Sequence, residues 1–175
     1  HRRPDCAGQH RACSGPDRPA PAKPSGWSAY GGDPAGTRYT AAAQITPANV
    51  HELRVAWTFH TGELGHGVTD WKRSAFEATP ILYDGVLYFT TPTTNVIAVD
   101  AATGALRWRH DSHNRNDLRY SDGVSRGGAR GGDAAAAPGA VCRARIYAPT
   151  LDGRLLALDA GTGSPCQDFG RGGVI

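Results

Sequence analysis

FEATPILYDGVLYFTTPTTNVIAVDAATGALRWRHD, residues Phe76 to Asp111, is the stretch from which the rest of the chain can be read. Four short apolar runs lie in it: Thr79–Tyr83, Val86–Thr91, Asn95–Val99 and Ala105–His110. Each is rich in Val, Ile, Leu, Tyr or Trp and is cut off by turn residues, which is the composition of a strand. Asp84-Gly85 predicts a two-residue hairpin turn, because Asp and Gly tolerate the positive φ such a turn requires. Asp100-Ala-Ala-Thr-Gly104 predicts a second tight turn, in which Asp and Thr hydrogen-bond their own backbone and Gly frees the last position. The expectation is a four-stranded antiparallel meander.

A second copy follows. IYAPTLDGRLLALDAGTG, Ile146 to Gly163, lies over LYFTTPTTNVIAVDAATG, Leu87 to Gly104, at a constant offset of 59 without a gap. Tyr, Thr, Ala, Asp, Ala, Thr and Gly are identical, and the pairs Leu87/Ile146, Val96/Leu155, Ile97/Leu156 and Val99/Leu158 exchange one aliphatic for another. A period in this range means stacked units, none able to bury its faces alone. Four strands per unit make each a β-propeller blade, so the fold expected is all-β. Blades are assigned to residues 76–111 and, partially, 142–170.

Composition agrees. Of 175 residues, 39% are hydrophobic and 20% charged, and 23 Gly with 12 Pro suit short strands joined by many turns. The net charge of +3 carries no run of five like charges, so bulk electrostatic binding to nucleic acid or membrane is not indicated. No apolar run approaches the roughly 20 residues of a membrane span, and no signal-peptide core is seen. The absence of Met and the ending at Gly173-Val-Ile175 give the expectation of a piece of a longer protein, because an eight-bladed ring at this period needs about 470 residues.

The repeat carries A-x-D-x-x-T-G-x-x-x-W as Ala98, Asp100, Thr103, Gly104 and Trp108. A small Ala lets a neighbouring blade approach, Asp and Thr lock the turn, and the flat Trp covers the next blade's backbone. In the second copy Ala157, Asp159, Thr162 and Gly163 match, but Gln167 stands where Trp is expected. The motif resembles the tryptophan-docking motif of quinoprotein dehydrogenases, which use pyrroloquinoline quinone (PQQ); a non-enzymatic scaffold propeller would carry the same turn. The segment Trp27-Ser-Ala-Tyr-Gly-Gly-Asp-Pro-Ala-Gly-Thr-Arg-Tyr39 resembles that family's W-x-x-Y-G-x-D opening, and Gln44-Ile-Thr-Pro-Ala-Asn-Val50 its Q-I-n-p-x-N-V. A scaffold has no reason to carry this opening. On local grounds Thr46 is an N-cap, with Pro47 at the first helical position of a short turn. Leu53–Phe59 alternates as a strand, which the resemblance assigns to the closing blade of an eight-bladed ring, with partners beyond residue 175. His1 to Gly26 is polar and Pro-rich and reads as a linker or disordered tail; Cys6, His10 and Cys13 in it find no second Cys/His cluster to complete a zinc site.

The resemblance also implies a cofactor site. Glu77, in Phe76-Glu-Ala-Thr-Pro80, matches the position at which the family sets a glutamate against PQQ, and could otherwise be a rim carboxylate at a strand end. Ser112 to Pro138 reads as a long polar loop, and within it Val124-Ser-Arg-Gly127 resembles the family segment whose arginine pairs with a PQQ carboxylate. The carry-over is Arg126, whose planar fork suits a carboxylate. The family's usual Cys before this Arg and its aromatic pair after it are replaced by Ser121, Ser125 and Gly128-Ala-Arg-Gly131, and the rival reading is a short RNA-contacting RGG segment.

Cys142 and Cys166 flank the paired runs of the second copy, and Cys166-Gln-Asp-Phe-Gly170 resembles the C-x-D-F-G of the membrane-bound glucose, quinate and shikimate branch. That branch has cysteines at both points, so a disulfide and a periplasmic location are implied, against the alternative of two buried thiols. The full set of expectations is an N-terminal portion of a PQQ dehydrogenase, about two blades plus the closing strand. It would oxidise a sugar, polyol or alcohol and pass electrons to a respiratory quinone or cytochrome. A Ca²⁺ or Mg²⁺ ion and a catalytic Asp would come from outside these residues, membrane association would arise only through parts not present, and the 175 residues alone would be inactive. No His pair, Ser-His-Asp set or phosphate loop can be argued.

Overall fold

The computed structural model describes residues 26–63 apart from 28 and 34, then 74–115, 120 and 123–175; Cys6, His10, Cys13 and Ser121 lie outside them. Among the described residues, beyond one 3-10 turn, Val50–Glu52, regular structure is all strand: β1 Ser74–Phe76, β2 Ile81–Tyr83, β3 Val86–Thr90, β4 Val96–Asp100, β5 Leu106–His110, β6 Gly123–Ser125, β7 Ala129–Gly132, β8 Ala144–Pro149 and β9 Leu155–Asp159. No helix among the described residues is long and apolar enough to cross a membrane.

The quoted stretch forms the expected meander, in the order β2-β3-β4-β5. Asp84 and Gly85 take φ of 49° and 72°, the two positive values a tight hairpin demands, and set Tyr83 opposite Val86. Strand β4 is the most buried, with Val96, Ile97, Ala98 and Val99 each at most 1% exposed, as befits a strand flanked on both edges and covered on both faces. Its Val96 and Ala98, with Ile81, Tyr88 and Trp108, form one apolar cluster with Ile146, Ala148, Leu156, Leu158 and Ala160 of the second sheet. The core of the molecule is thus the contact between two blades, which is why neither copy could be stable alone.

The repeat holds in detail at the turns. Asp100 Oδ1 accepts from the Ala102 and Thr103 amides and the Thr103 hydroxyl; Asp159 Oδ1 accepts from the Gly161 and Thr162 amides and the Thr162 hydroxyl. Each turn ends on a glycine in the left-handed region, Gly104 at φ 72° and Gly163 at φ 73°. Trp108 lies flat on Gly163, where a Cβ would stand 2.5 Å from Cε3, and its Nε1 donates to Ala160 O at 2.9 Å. The Tyr88 hydroxyl donates to the same carbonyl at 3.1 Å, and burial pushes its pKa up to about 12.

Several expectations change. Leu53–Phe59, whose strand partners were expected beyond residue 175, joins no ladder among the described residues and makes its contacts through side chains. Trp57 lies on Gly104, where a Cβ would be 2.6 Å from the indole, and donates from Nε1 to Ala101 O at 3.2 Å, while Phe59 meets Phe89 edge-on at 6.1 Å. Trp57 therefore does for the first blade what Trp108 does for the second. Thr46 does not cap the helical turn by its side chain: its hydroxyl donates to Asn49 Oδ1, and the short helix itself has no side-chain cap.

The polar loop contains two strands. β6 pairs in parallel with β1, and β7 makes the first strand of the second blade, in the order β7-β8-β9. That blade therefore starts before residue 142. Ala129-Arg-Gly-Gly132 has little intrinsic strand preference, and its glycines serve packing instead. A Cβ on Gly131 would sit 2.6 Å from the Tyr147 ring and one on Gly132 2.8 Å from Arg143 O. Among the described residues no counterpart of β5 closes the second blade. Residues 164–175 run along β9 through isolated bridges, Leu158 to Pro165 and Leu156 to Val174, so Gln167 never takes a docking position.

Candidate functional site

Strands β1 and β6 are three residues each and run parallel, Ser74 beside Gly123, Ala75 beside Val124 and Phe76 beside Ser125. Parallel pairing brings the residue after each strand to the same end, and those residues are Glu77 and Arg126. Their side chains meet in an ion pair, Arg126 Nη1 to Glu77 Oε2, at 3.3 Å. β1 leads into β2 and β6 into β7, so the pair stands where the chain enters successive blades. This is the end of the sheets that carries the β3–β4 turn, Thr91–Asn95, opposite to the docking turns.

The backbone beneath is tightly drawn. The Thr79 amide donates to Arg126 O at 3.3 Å. Gly127, at φ 114°, passes so close that a Cβ would stand 2.9 Å from Thr79 O, which explains the glycine in Arg126-Gly127. Below the strand ends, Thr90 Oγ1 and Ser125 Oγ are 2.7 Å apart and both residues are buried.

The Arg126 side chain is 82% exposed and that of Glu77 42%. An ion pair this wet is worth at most about 1 kcal/mol, so a ligand carboxylate can compete for the guanidinium without a large loss. The residues thus fit a carboxylate-bearing group: one cation with most of its fork open, beside one hydrogen-bond acceptor. The other polar network of this end is self-contained. Glu63, 7% exposed, pairs with Arg109 at 3.4 Å and accepts from Asn95 Nδ2 at 3.0 Å.

Cys142 and Cys166 are joined by a disulfide, with α-carbons 5.7 Å apart and 24 residues of separation. The bridge anchors the segment after Gly163 to the loop before β8. Beside it Asp168 would complete a group of three ligating residues, but bonded sulfurs offer no thiolates, and Arg145 pairs with Asp168, holding its carboxyl below the usual range. This group therefore gives no metal centre. Cys142 N also donates to Asp159 Oδ2 at 2.6 Å, tying the bridge to the docking turn.

The sequence reading brought Glu77 and Arg126 forward separately, 49 positions apart; their contact follows from β1–β6 pairing, for which three-residue strands give no periodic signal. It missed Trp57, Thr90 and Ser125. For Trp57 a signal existed: each Asp-x-x-Thr-Gly turn needs a tryptophan from the preceding unit, and Trp57 sits in a strand-like alternating run before the first turn as Trp108 does before the second.

A family described as the β-propeller domain of PQQ glucose/ethanol/alcohol dehydrogenases matches residues 27–175. Among curated proteins, the chain is 35% identical over 150 residues to the glycerol dehydrogenase large subunit of Gluconobacter oxydans (strain 621H), covering 85% of this chain and 20% of the relative. It is 33% identical over 162 residues to quinoprotein glucose dehydrogenase A of Acinetobacter calcoaceticus, covering 86% and 20%. It is 34% identical over 166 residues to the quinate/shikimate dehydrogenase (quinone) of Acinetobacter baylyi (strain ATCC 33305 / BD413 / ADP1), covering 85% and 20%. Among solved structures, a quinohemoprotein alcohol dehydrogenase from Pseudomonas putida HK5 superposes with a TM-score of 0.59 at 34% identity, over 81% of this chain and 18% of that one. A europium-containing methanol dehydrogenase superposes with a TM-score of 0.60 at 30% identity, over 79% and 22%. The chain spans about one fifth of the length of the curated relatives it matches. With its blades, its docking turns and a match over residues 27–175, this chain belongs to the family of PQQ-dependent β-propeller dehydrogenases.

Proposed function

We propose that these residues form the first blades of a quinoprotein dehydrogenase that oxidises a sugar, polyol or alcohol, with Glu77 and Arg126 as this portion's share of the PQQ site. The observation that carries the site assignment is their convergence at 3.3 Å on an exposed, strand-supported end of the sheets. Arg126 donates to a PQQ carboxylate, and Glu77 orients the guanidinium and accepts from a donor on the cofactor's rim. PQQ, when bound, supplies an ortho-quinone that accepts two electrons from the substrate.

The catalytic base, and the ligands of a Ca²⁺ or Mg²⁺ ion, belong to parts of the enzyme that these residues do not match, and the 175 residues alone are inactive. Electrons pass to a respiratory quinone or cytochrome. The Cys142–Cys166 disulfide supports a periplasmic setting, where such bridges persist.

The test is a PQQ titration of the full-length apoenzyme. Both Glu77→Gln and Arg126→Ala are expected to weaken binding. The arginine variant should lose roughly 2–5 kcal/mol if the remaining blades of the full-length enzyme bury the carboxylate that Arg126 pairs with. Wild-type affinity in both variants would remove the site assignment and leave only the propeller.

A further inference from the structure

An exposed arginine at the end of a three-residue strand can serve a binding site only if the backbone under it is fixed, since a misplacement of about 1 Å already degrades a site. For Arg126 that fixing is polar. The residue before it, Ser125, is 5% exposed and turns its hydroxyl inward, to within 2.7 Å of Thr90 Oγ1, itself in a residue only 2% exposed. Ser125 is the last residue of β6 and Thr90 the last of β3. This hydroxyl pair ties the two-stranded sheet, which leads into both Glu77 and Arg126, to the first blade on the β6 side, as the Phe76–Phe89 ring contact at 6.0 Å does on the β1 side.

Among the described residues neither hydroxyl has another hydrogen-bond partner, so removing one leaves the other as a buried polar group without a partner. A buried hydroxyl without a partner is costly enough to shift the strand that bears it. The direct backbone hold on Arg126 is the 3.3 Å bond from the Thr79 amide to its carbonyl, which is long. Serine at this position is thus more than a spacer before the arginine.

We propose that Ser125 and Thr90 are positioning residues for the cofactor arginine: their hydroxyl pair sets where Arg126 presents its guanidinium, and so tunes affinity for the carboxylates of PQQ. The proposal rests on the assignment of Arg126 to the PQQ site.

The experiment titrates full-length apoenzyme with PQQ, following tryptophan quenching, for Ser125→Ala, Thr90→Val, Thr90→Ser, Arg126→Ala and the Ser125→Ala/Arg126→Ala double variant. Loss of one net hydrogen bond should weaken PQQ binding roughly five- to tenfold in Ser125→Ala and in Thr90→Val. Thr90→Ser, which keeps the hydroxyl, should bind close to wild type. In the Arg126→Ala background, Ser125→Ala should add nothing, because the group it positions is gone. A purely structural role predicts otherwise, with equal weakening in both backgrounds, and that result overturns the proposal. Wild-type affinity in Ser125→Ala and Thr90→Val, with Arg126→Ala weak, overturns it while leaving the site assignment standing. Wild-type affinity in Arg126→Ala defeats both. Should Ser125→Ala fail to accumulate, the Thr90→Val and Thr90→Ser pair makes the same comparison from the other side of the contact.

Discussion

Replacing Gly163 by alanine places a methyl group inside the stacked tryptophan. The added Cβ would lie 2.5 Å from Trp108 Cε3 and 2.7 Å from Cδ2, distances that no relaxation of a buried indole absorbs freely. The position also sits at φ 73°, so the side chain brings backbone strain. Gly153 separates the two costs: its φ is 85°, and a Cβ there meets nothing within 4 Å. Left-handed backbone costs an ordinary residue about 1–2 kcal/mol, and overpacking a tight contact adds about 1–3 kcal/mol. Gly163→Ala should therefore lose about 2–5 kcal/mol and Gly153→Ala about 1–2 kcal/mol. Urea unfolding of the full-length protein followed by far-ultraviolet circular dichroism measures both. The decisive arm is Trp108→Ala: with the indole gone, the excess cost of Gly163→Ala should vanish, leaving about the 1–2 kcal/mol of backbone strain. If Gly163→Ala costs no more than Gly153→Ala in the presence of Trp108, stacking on the turn is not what joins the blades.

Two more expectations follow from the same elements. Removing the disulfide by Cys142→Ala with Cys166→Ala should lower stability by roughly 3 kcal/mol, the chain-entropy value for a loop of this size. Peptide mapping without reductant should return the two cysteines linked, and free alkylation of both thiols would contradict the bridge. The Arg107 guanidinium, 2.6 Å away, and the Thr103 hydroxyl hold the Asp100 carboxyl at about 2, below its ordinary 3.8. Because the folded value is the lower one, this contribution is complete above about pH 4 and is lost as pH falls through about 2. Asp100→Asn should flatten that part of the acid-unfolding curve, and an unchanged curve would show that the turn's charge does not matter.

The blade was legible in the sequence because its causes are local. Apolar runs, Asp84-Gly85 and the Asp-x-x-Thr-Gly turns each specify backbone geometry within a few residues, and their recurrence 59 positions later marks the unit. Trp108 could be assigned to the next blade because a large indole after such a turn has few uses. The motifs of the opening segment and of Glu77 and Arg126 carried the family through residue type and spacing.

What the sequence did not reveal is what depends on contacts between distant, unremarkable residues. Ala129-Arg-Gly-Gly132 looks like a loop and is a strand, since its glycines are needed for the close approach of Tyr147 and of the Arg143 carbonyl. Alternation in Leu53–Phe59 marks a strand-like run but not its contacts here, which are made by Trp57 on the first docking turn and Phe59 on Phe89. The meeting of Glu77 with Arg126, and of Thr90 with Ser125, is set by the parallel pairing of two three-residue strands. Such strands are too short to carry a period, and it is the packing of one blade on the next that brings them together.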